Sequence, residues 1–259
     1  MAEAIEELED QEAWIDLLFT RFKIEVAQDR QQALFRALNS YASEENETSA
    51  TLYKRAKMRQ LSQTHWAQII HLATNHETRF YRNPAVIKLV AECARDFTRP
   101  RILSVGCSTG EEPYSLACEL STQGFANYLI HGTDVSEPCI STAKAGIYRS
   151  NELIHERFAP RIAGGRQMRF GWIREFVSFE QHNILAERPI EFSAPNVILT
   201  QNMLIYYRTK TRMRILDSLS CMLAKGGYLI TAAAEEANWK LDGFERLHSH
   251  AATVFRKKP

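Results

Sequence analysis

Three short strings hold most of the residues that could do chemistry: NHETRFYRNP at 75–84, SVGCSTGEEPYS at 104–115 and QNMLIYY at 201–207. In the second, Gly106 and Gly110 bracket a tight loop between an apolar run and a helix-forming one. That is where a doubly wound sheet brings a nucleotide-like ligand against the backbone. The spacing is G-x-S-x-G, not the G-x-G-x-x-G of dinucleotide sites, and Glu111 and Glu112 follow at once. Acidic side chains at a helix start suit the helix dipole, so plain capping also accounts for them. The same acids would repel a pyrophosphate. They would welcome a cation, and the sulfonium and ammonium of S-adenosylmethionine fit that charge. Ser108 also centres a nucleophile-elbow pattern, yet no Asp…His pair stands at later strand ends, although His248 and His250 lie near the C-terminus. Further on, Asp134 in HGTDVS falls at the expected end of a second strand. A carboxylate there can accept both ribose hydroxyls, or close the strand as an Asx turn.

The elements that must position these residues change character near residue 100. From about 11 to 72 apolar residues recur every three or four positions, as in WIDLLFTRF and HWAQIIHLA, which predicts several short amphipathic helices. The acidic start, AEAIEELEDQE, reads as a frayed helix end or a solvated tail. From Arg101 strand and helix alternate: RILSV, EEPYSLACEL, NYLIHGTDV, CISTAKAGIY, NVILT, RTKTRMRILDSLSCMLA and YLITAAA. FERLHS and ATVFRK can close the sheet as an antiparallel pair. The class is α/β, a doubly wound, mostly parallel sheet behind an all-α N-terminal domain. The stretch 148–179 breaks the rhythm, and AGGRQ within it predicts a small inserted β lobe with a hairpin. A net charge of +1 gives no global field toward nucleic acid or an anionic membrane. No apolar run reaches spanning length. The five cysteines show no C-x-x-C pairing, so no metal site is read and reduced thiols in a cytoplasmic protein are expected.

At these strings the chain resembles the chemotaxis-receptor methyltransferases of the CheR family. GCSTGEEPYSLA, TDVSEPCISTAKAGIYR and QNMLIYY carry the likeness. HETRFYR stands where that family has N-E-T-x-F-F-R, between its helical N-terminal domain and its catalytic domain. The likeness runs from about residue 60 to the C-terminus. It implies transfer of a methyl group from S-adenosyl-L-methionine to a glutamate carboxylate on the cytoplasmic helical bundle of a methyl-accepting chemoreceptor, leaving S-adenosyl-L-homocysteine. It also implies the methyltransferase type of sheet: residues 1–74 helical, 75–100 a linker closing over the cofactor, and 101–259 catalytic, with the lobe at about 148–179.

By motif, the resemblance gives the cofactor's methionine end to Thr78 and Arg82, with His76 in place of an asparagine contact. Gly106, Glu111 and Glu112 form the binding loop, Asp134 takes the ribose, and Asn183 with Ile184 the adenine. Gln201 and Asn202 make further contacts, Gln201 standing where the family has arginine. Arg82 and Tyr206 are the candidate catalytic residues, Tyr206 near the transferred methyl. Phe80 and Tyr81 would wall the site, and Arg79 would be solvated. After the last parallel strand AAAEEA replaces the family's glycine-rich GHSE, and the inserted lobe is short. In some members that lobe docks on a receptor tail. These departures point to a divergent branch, one serving pilus or surface motility among the possibilities.

The chemistry is consistent with the residues. A glutamate with a pKa of about 4.3 is already ionised at neutral pH, so no general base is needed. Aligning carboxylate oxygen, methyl carbon and sulfur can supply up to about 7–11 kcal/mol. Arg82, with its rigid fork of donors, can guide the incoming carboxylate. Two other readings stay open. A methyltransferase acting on bases would want an N-P-P-Y-like turn and a phosphate-binding face, and the chain lacks both. A non-catalytic binding module would accommodate His76, Gln201 and AAAEEA, whereas Glu111, Glu112, Asp134 and Tyr206 favour turnover. KRAKMR at 54–59 reads as a recognition helix for an acidic bundle or as a solvated face. The expected state is a monomer, with no nucleic-acid partner and no membrane insertion.

Overall fold

The computed structural model describes residues 2–149, 163–164, 167–186, 188–233, 235–236 and 239–259. Four helices come first: α1 (Ala2–Phe22), α2 (Gln28–Glu44), α3 (Ser49–Lys57) and α4 (Gln63–Ala73). The acidic start is thus helical. Thr48 and Ser62 cap α3 and α4, their hydroxyls accepting the backbone N–H groups of Thr51 and His65 at 3.2 Å each. The apolar stripes of all four helices close on one core that includes Trp14, Leu18, Leu38, Leu52 and Ile69. Arg21 lays its guanidinium 4.2 Å over the Trp66 ring at the edge of that core.

Within 75–100, α5 (Pro84–Ala94) begins on a proline after the Asn83 cap, and it buries Val86, Val90 and Ala94 in the core of the sheet. The strands β1 (Arg101–Val105), β2 (Leu129–Asp134), β6 (Val177–Gln181), β7 (Val197–Thr200) and β8 (Tyr228–Thr231) run parallel. β10 (Thr253–Lys257) pairs antiparallel with β8 and with β9 (Phe244–Leu247), giving the order β6-β2-β1-β7-β8-β10-β9. Side chains alternate between two faces. Ile102, Val197, Leu199 and Ile230 join the core under α5 and α6 (Glu111–Thr122), while Leu103, Ile198 and Leu229 join the one under α8 (Thr209–Met222). α7 (Glu137–Ala145) follows β2, as expected from CISTAKAGIY.

The inserted lobe is a three-stranded antiparallel sheet, β3 (Ile147–Arg149), β5 (Gln167–Arg169) and β4 (Ala163–Gly164), in the order β3-β5-β4. The tip of the expected hairpin, 165–166, and the stretch 150–162 lie outside the described residues. The lobe ends earlier than the expected boundary of 179. A short 3-10 turn at Gly171–Ile173 redirects the chain, and β6 then pairs with β2 from Ile130↔Val177 onward. Met168 and Phe170 are buried in the core of the sheet, which anchors the lobe there. Of the five thiols, Cys107, Cys118 and Cys139 are buried, Cys93 is half-buried and Cys221 is exposed on α8.

Candidate cofactor and active site

The strand order reverses between β1 and β7, and the three sequence strings meet in the crevice at their carboxyl ends. The chain leaves β1 at Gly106 with φ +76, where a Cβ would lie 2.8 Å from the Met203 side chain. The N–H groups of Gly106 and Cys107 both donate to the Thr133 carbonyl, at 2.8 and 3.0 Å, tying the loop to β2. Gly110, at φ +96, opens α6, and a Cβ there would press on Ala143 at 2.8 Å. Glycine is therefore needed at both positions. Ser108 is buried, and its hydroxyl donates to the His76 carbonyl at 3.0 Å. A hydroxyl tied in this way serves the loop, not a nucleophile elbow.

Asp134 closes the Asx turn weighed for it and also ties down the loop. Its Oδ1 accepts the Ser136 N–H at 2.9 Å in an Asx turn, and its Oδ2 accepts the Ser108 N–H at 2.8 Å. Each oxygen keeps a second acceptor site, and the residue lines two of three adjoining cavities that open to solvent. Thr78, Arg82, Glu112, Gln201, Asn202 and Tyr206 line the first. His76, Asp134, Asn202 and Tyr206 line the second, and Asp134, His182, Ile184 and Met203 the third. Gly106 belongs to all three.

Several side chains differ from expectation. Glu111 is absent from these walls: its carboxylate accepts the Thr109 hydroxyl at 2.6 Å, and burial raises its pKa. The side chain of Asn183 closes a turn by accepting the Leu185 N–H at 3.0 Å, and Ile184 and His182 line the cavity beside it. Phe80 does not wall the site. It is buried, stacked 5.1 Å from Phe170 and edge-on to Tyr148. Tyr81 does line the first cavity, and so does Arg79, which is exposed as expected. The His76 ring stacks 4.3 Å from His71, and its Nε2 lies 2.8 Å from the His71 carbonyl. With Cys139 these two histidines bring three potential metal-ligand atoms, two nitrogens and a sulfur, within 4.8 Å of one another. One nitrogen of each ring is already engaged, His71 Nδ1 by the Ser136 hydroxyl at 2.7 Å and His76 Nε2 by the His71 carbonyl.

The first cavity carries the charge. Burial pushes the Glu112 carboxyl up to about 7, opposed by a 2.7 Å hydrogen bond from the Ser104 hydroxyl, helped by Glu235 and opposed again by Arg82. Glu235 is only 2% exposed and is likewise pushed up by burial to about 7. Arg82 is exposed, with one arm donating to the Glu77 carbonyl at 2.7 Å. Gln201 Nε2 is buried and has no partner among the described residues. Sequence reasoning missed Asn75, Arg79, His182, Met203 and Tyr207 as wall residues. All but His182 lie inside the quoted strings, and His182 adjoins Asn183.

The family profile described as CheR methyltransferase, SAM binding domain matches residues 75–253. The probable biofilm formation methyltransferase WspC of Pseudomonas aeruginosa is 30% identical over 70% of this chain, which spans 46% of that protein's length. A chemotaxis protein methyltransferase of Vibrio anguillarum is 27% identical over 71% of this chain and 74% of its own. The Escherichia coli chemotaxis protein methyltransferase is 29% identical over 66% of this chain and 64% of its own. The chain belongs to the CheR methyltransferase family, S-adenosylmethionine-dependent enzymes whose cofactor-binding domain it carries.

Proposed function

We propose that this chain transfers the methyl group of S-adenosylmethionine to glutamate side chains of a chemoreceptor's helical bundle, forming glutamate methyl esters. The observation that carries this reading is the first cavity, where Arg82 and Tyr206 meet Glu112, Gln201 and Asn202. Glu112 there and Asp134 in the adjoining cavity suit a cationic donor, while Arg82 at the rim suits an anionic acceptor. Asp134 would take the ribose diol, and Ile184 with Met203 would pack against the adenine. Glu112 would face the donor's positive charge. Arg82 would guide the acceptor carboxylate, held to a geometric role by the Glu77 carbonyl on its other arm. Tyr206 would line the path of the methyl. S-adenosylmethionine held by these residues would supply the methyl group, the acceptor oxygen taking the methyl carbon while the carbon–sulfur electron pair would stay on sulfur in S-adenosylhomocysteine.

The test incubates the protein with receptor-bearing membranes and methyl-labelled S-adenosylmethionine, then measures methyl esters released by alkali. Asp134→Ala is expected to abolish cofactor binding by calorimetry. Tyr206→Phe is expected to keep binding and to slow transfer by roughly tenfold or more. Equal loss of binding in both variants would overturn this division of roles. Cofactor binding without transfer to any receptor would favour the non-catalytic module.

A further inference from the structure

The family profile begins at residue 75, but the wall of the cofactor crevice does not. Ile24, in the turn between α1 and α2, lines the second cavity beside His76, Asp134 and Tyr206 and is 5% exposed. Its neighbour Glu25 accepts the backbone N–H of Arg208 at 2.5 Å, and Arg208 Nε lies 3.5 Å from the same oxygen. Arg208 is the N-cap of α8 and makes no side-chain cap of its own among the described residues. Glu25 therefore caps that helix from a distant part of the chain, where the helix dipole favours a negative group. The Arg208 guanidinium lies 4.3 Å over the Phe19 ring. The turn itself is set by Lys23, at φ +58, whose N–H donates to the Phe19 carbonyl at 2.9 Å.

A second contact lies across the crevice. The Ser136 hydroxyl lies 2.7 Å from His71 Nδ1, and Val135 packs against the helical core. The helical domain thus stands on two turns, one following β2 and one following β7. The first turn follows Asp134; the second carries Asn202 and Tyr206.

We propose that the α1–α2 turn is part of the cofactor site. Ile24 walls the S-adenosylmethionine pocket, and Glu25, a positioning residue acting through the start of α8, holds the segment bearing Asn202 and Tyr206. Ser136 is fully buried at its contact, whereas the Arg208 side chain is 68% exposed at the other. Glu25 is itself 28% exposed, so its contact is the more open of the two to solvent, and cofactor exchange passes through it. The inference rests on the family's cofactor and is independent of which protein accepts the methyl group.

The test uses the full chain, calorimetry with S-adenosylmethionine and S-adenosylhomocysteine, and stopped-flow release of S-adenosylhomocysteine. Ile24→Ala is expected to raise Kd about fivefold for both ligands. Glu25→Ala is expected to speed release about tenfold. Glu25→Gln keeps an acceptor for the Arg208 N–H and should recover most of the slow release, which a loss of packing alone would not explain. Release rates and Kd within twofold of the parent in folded Ile24→Ala and Glu25→Ala would overturn the proposal. Should Ile24→Ala not fold, Ile24→Val and Glu25→Ala decide it by the same readings. Failure of the parent itself to bind either ligand would instead overturn the cofactor reading.

Discussion

Glu112 shows how one half-buried group in the cavity wall links ligand, pH and stability. Its carboxyl titrates at about 7 because burial disfavours the charge. At neutral pH it is partly protonated, and a cation entering the cavity favours the ionised form. Binding of S-adenosylmethionine should therefore expel protons. Calorimetry at pH 7 in buffers of different ionisation heat is expected to show net release, and Glu112→Gln should reduce it. Net uptake would count against an acidic anchor for the donor. The sign for stability follows from the raised pKa. The contribution is fully present below the unfolded value near 4.5 and is lost as pH rises through about 7. The ligand-free melting temperature should fall between pH 5 and 8 more steeply in the parent than in Glu112→Gln. At this scale the sequence is a partial guide. Glu112 and Asp134 were legible because their positions follow from the loop that carries them. Phe80 was not, since nothing local distinguishes an aromatic wall from an aromatic core, and neither was the turn that the Asn183 side chain closes.

The β1–α6 loop sets the geometry of the crevice. Gly110 combines φ +96 with a neighbouring Ala143 that would sit 2.8 Å from any Cβ. Gly110→Ala is expected to destabilise the fold by about 1–3 kcal/mol, measured by urea unfolding, and to weaken cofactor binding. A neutral outcome would mean that α7 can shift away without disturbing the loop. The alternation of strands and helices was readable from Arg101 onward because each element carries its own period and its own cap or glycine stop. β6 escaped because GWIREFVSF holds no strong turn signal after Gly171. The contribution of Ile24 is invisible in sequence, since it depends on a contact between segments far apart in the chain.

Over the whole molecule the net charge is only +1, so recognition of an acidic partner must come from local clusters. α3 carries Lys54, Arg55 and Lys57 in its last turn, and Arg59 follows it. Under the proposed function, Lys54→Glu with Lys57→Glu should raise the KM for receptor several-fold at low salt and leave the Kd for S-adenosylmethionine unchanged. An unchanged KM would make this face a solvated one. No described helix is long and apolar enough to cross a membrane. The two-point seat of the helical domain also limits how freely segments can be exchanged between relatives. A chimera that grafts a foreign segment 1–74 onto this catalytic domain must bring its own counterparts of Ile24, Glu25 and His71. Without them the hybrid inherits an intact sheet and loop but a pocket missing one wall, so recombination points should be chosen by those contacts and not by the start of the family profile at residue 75.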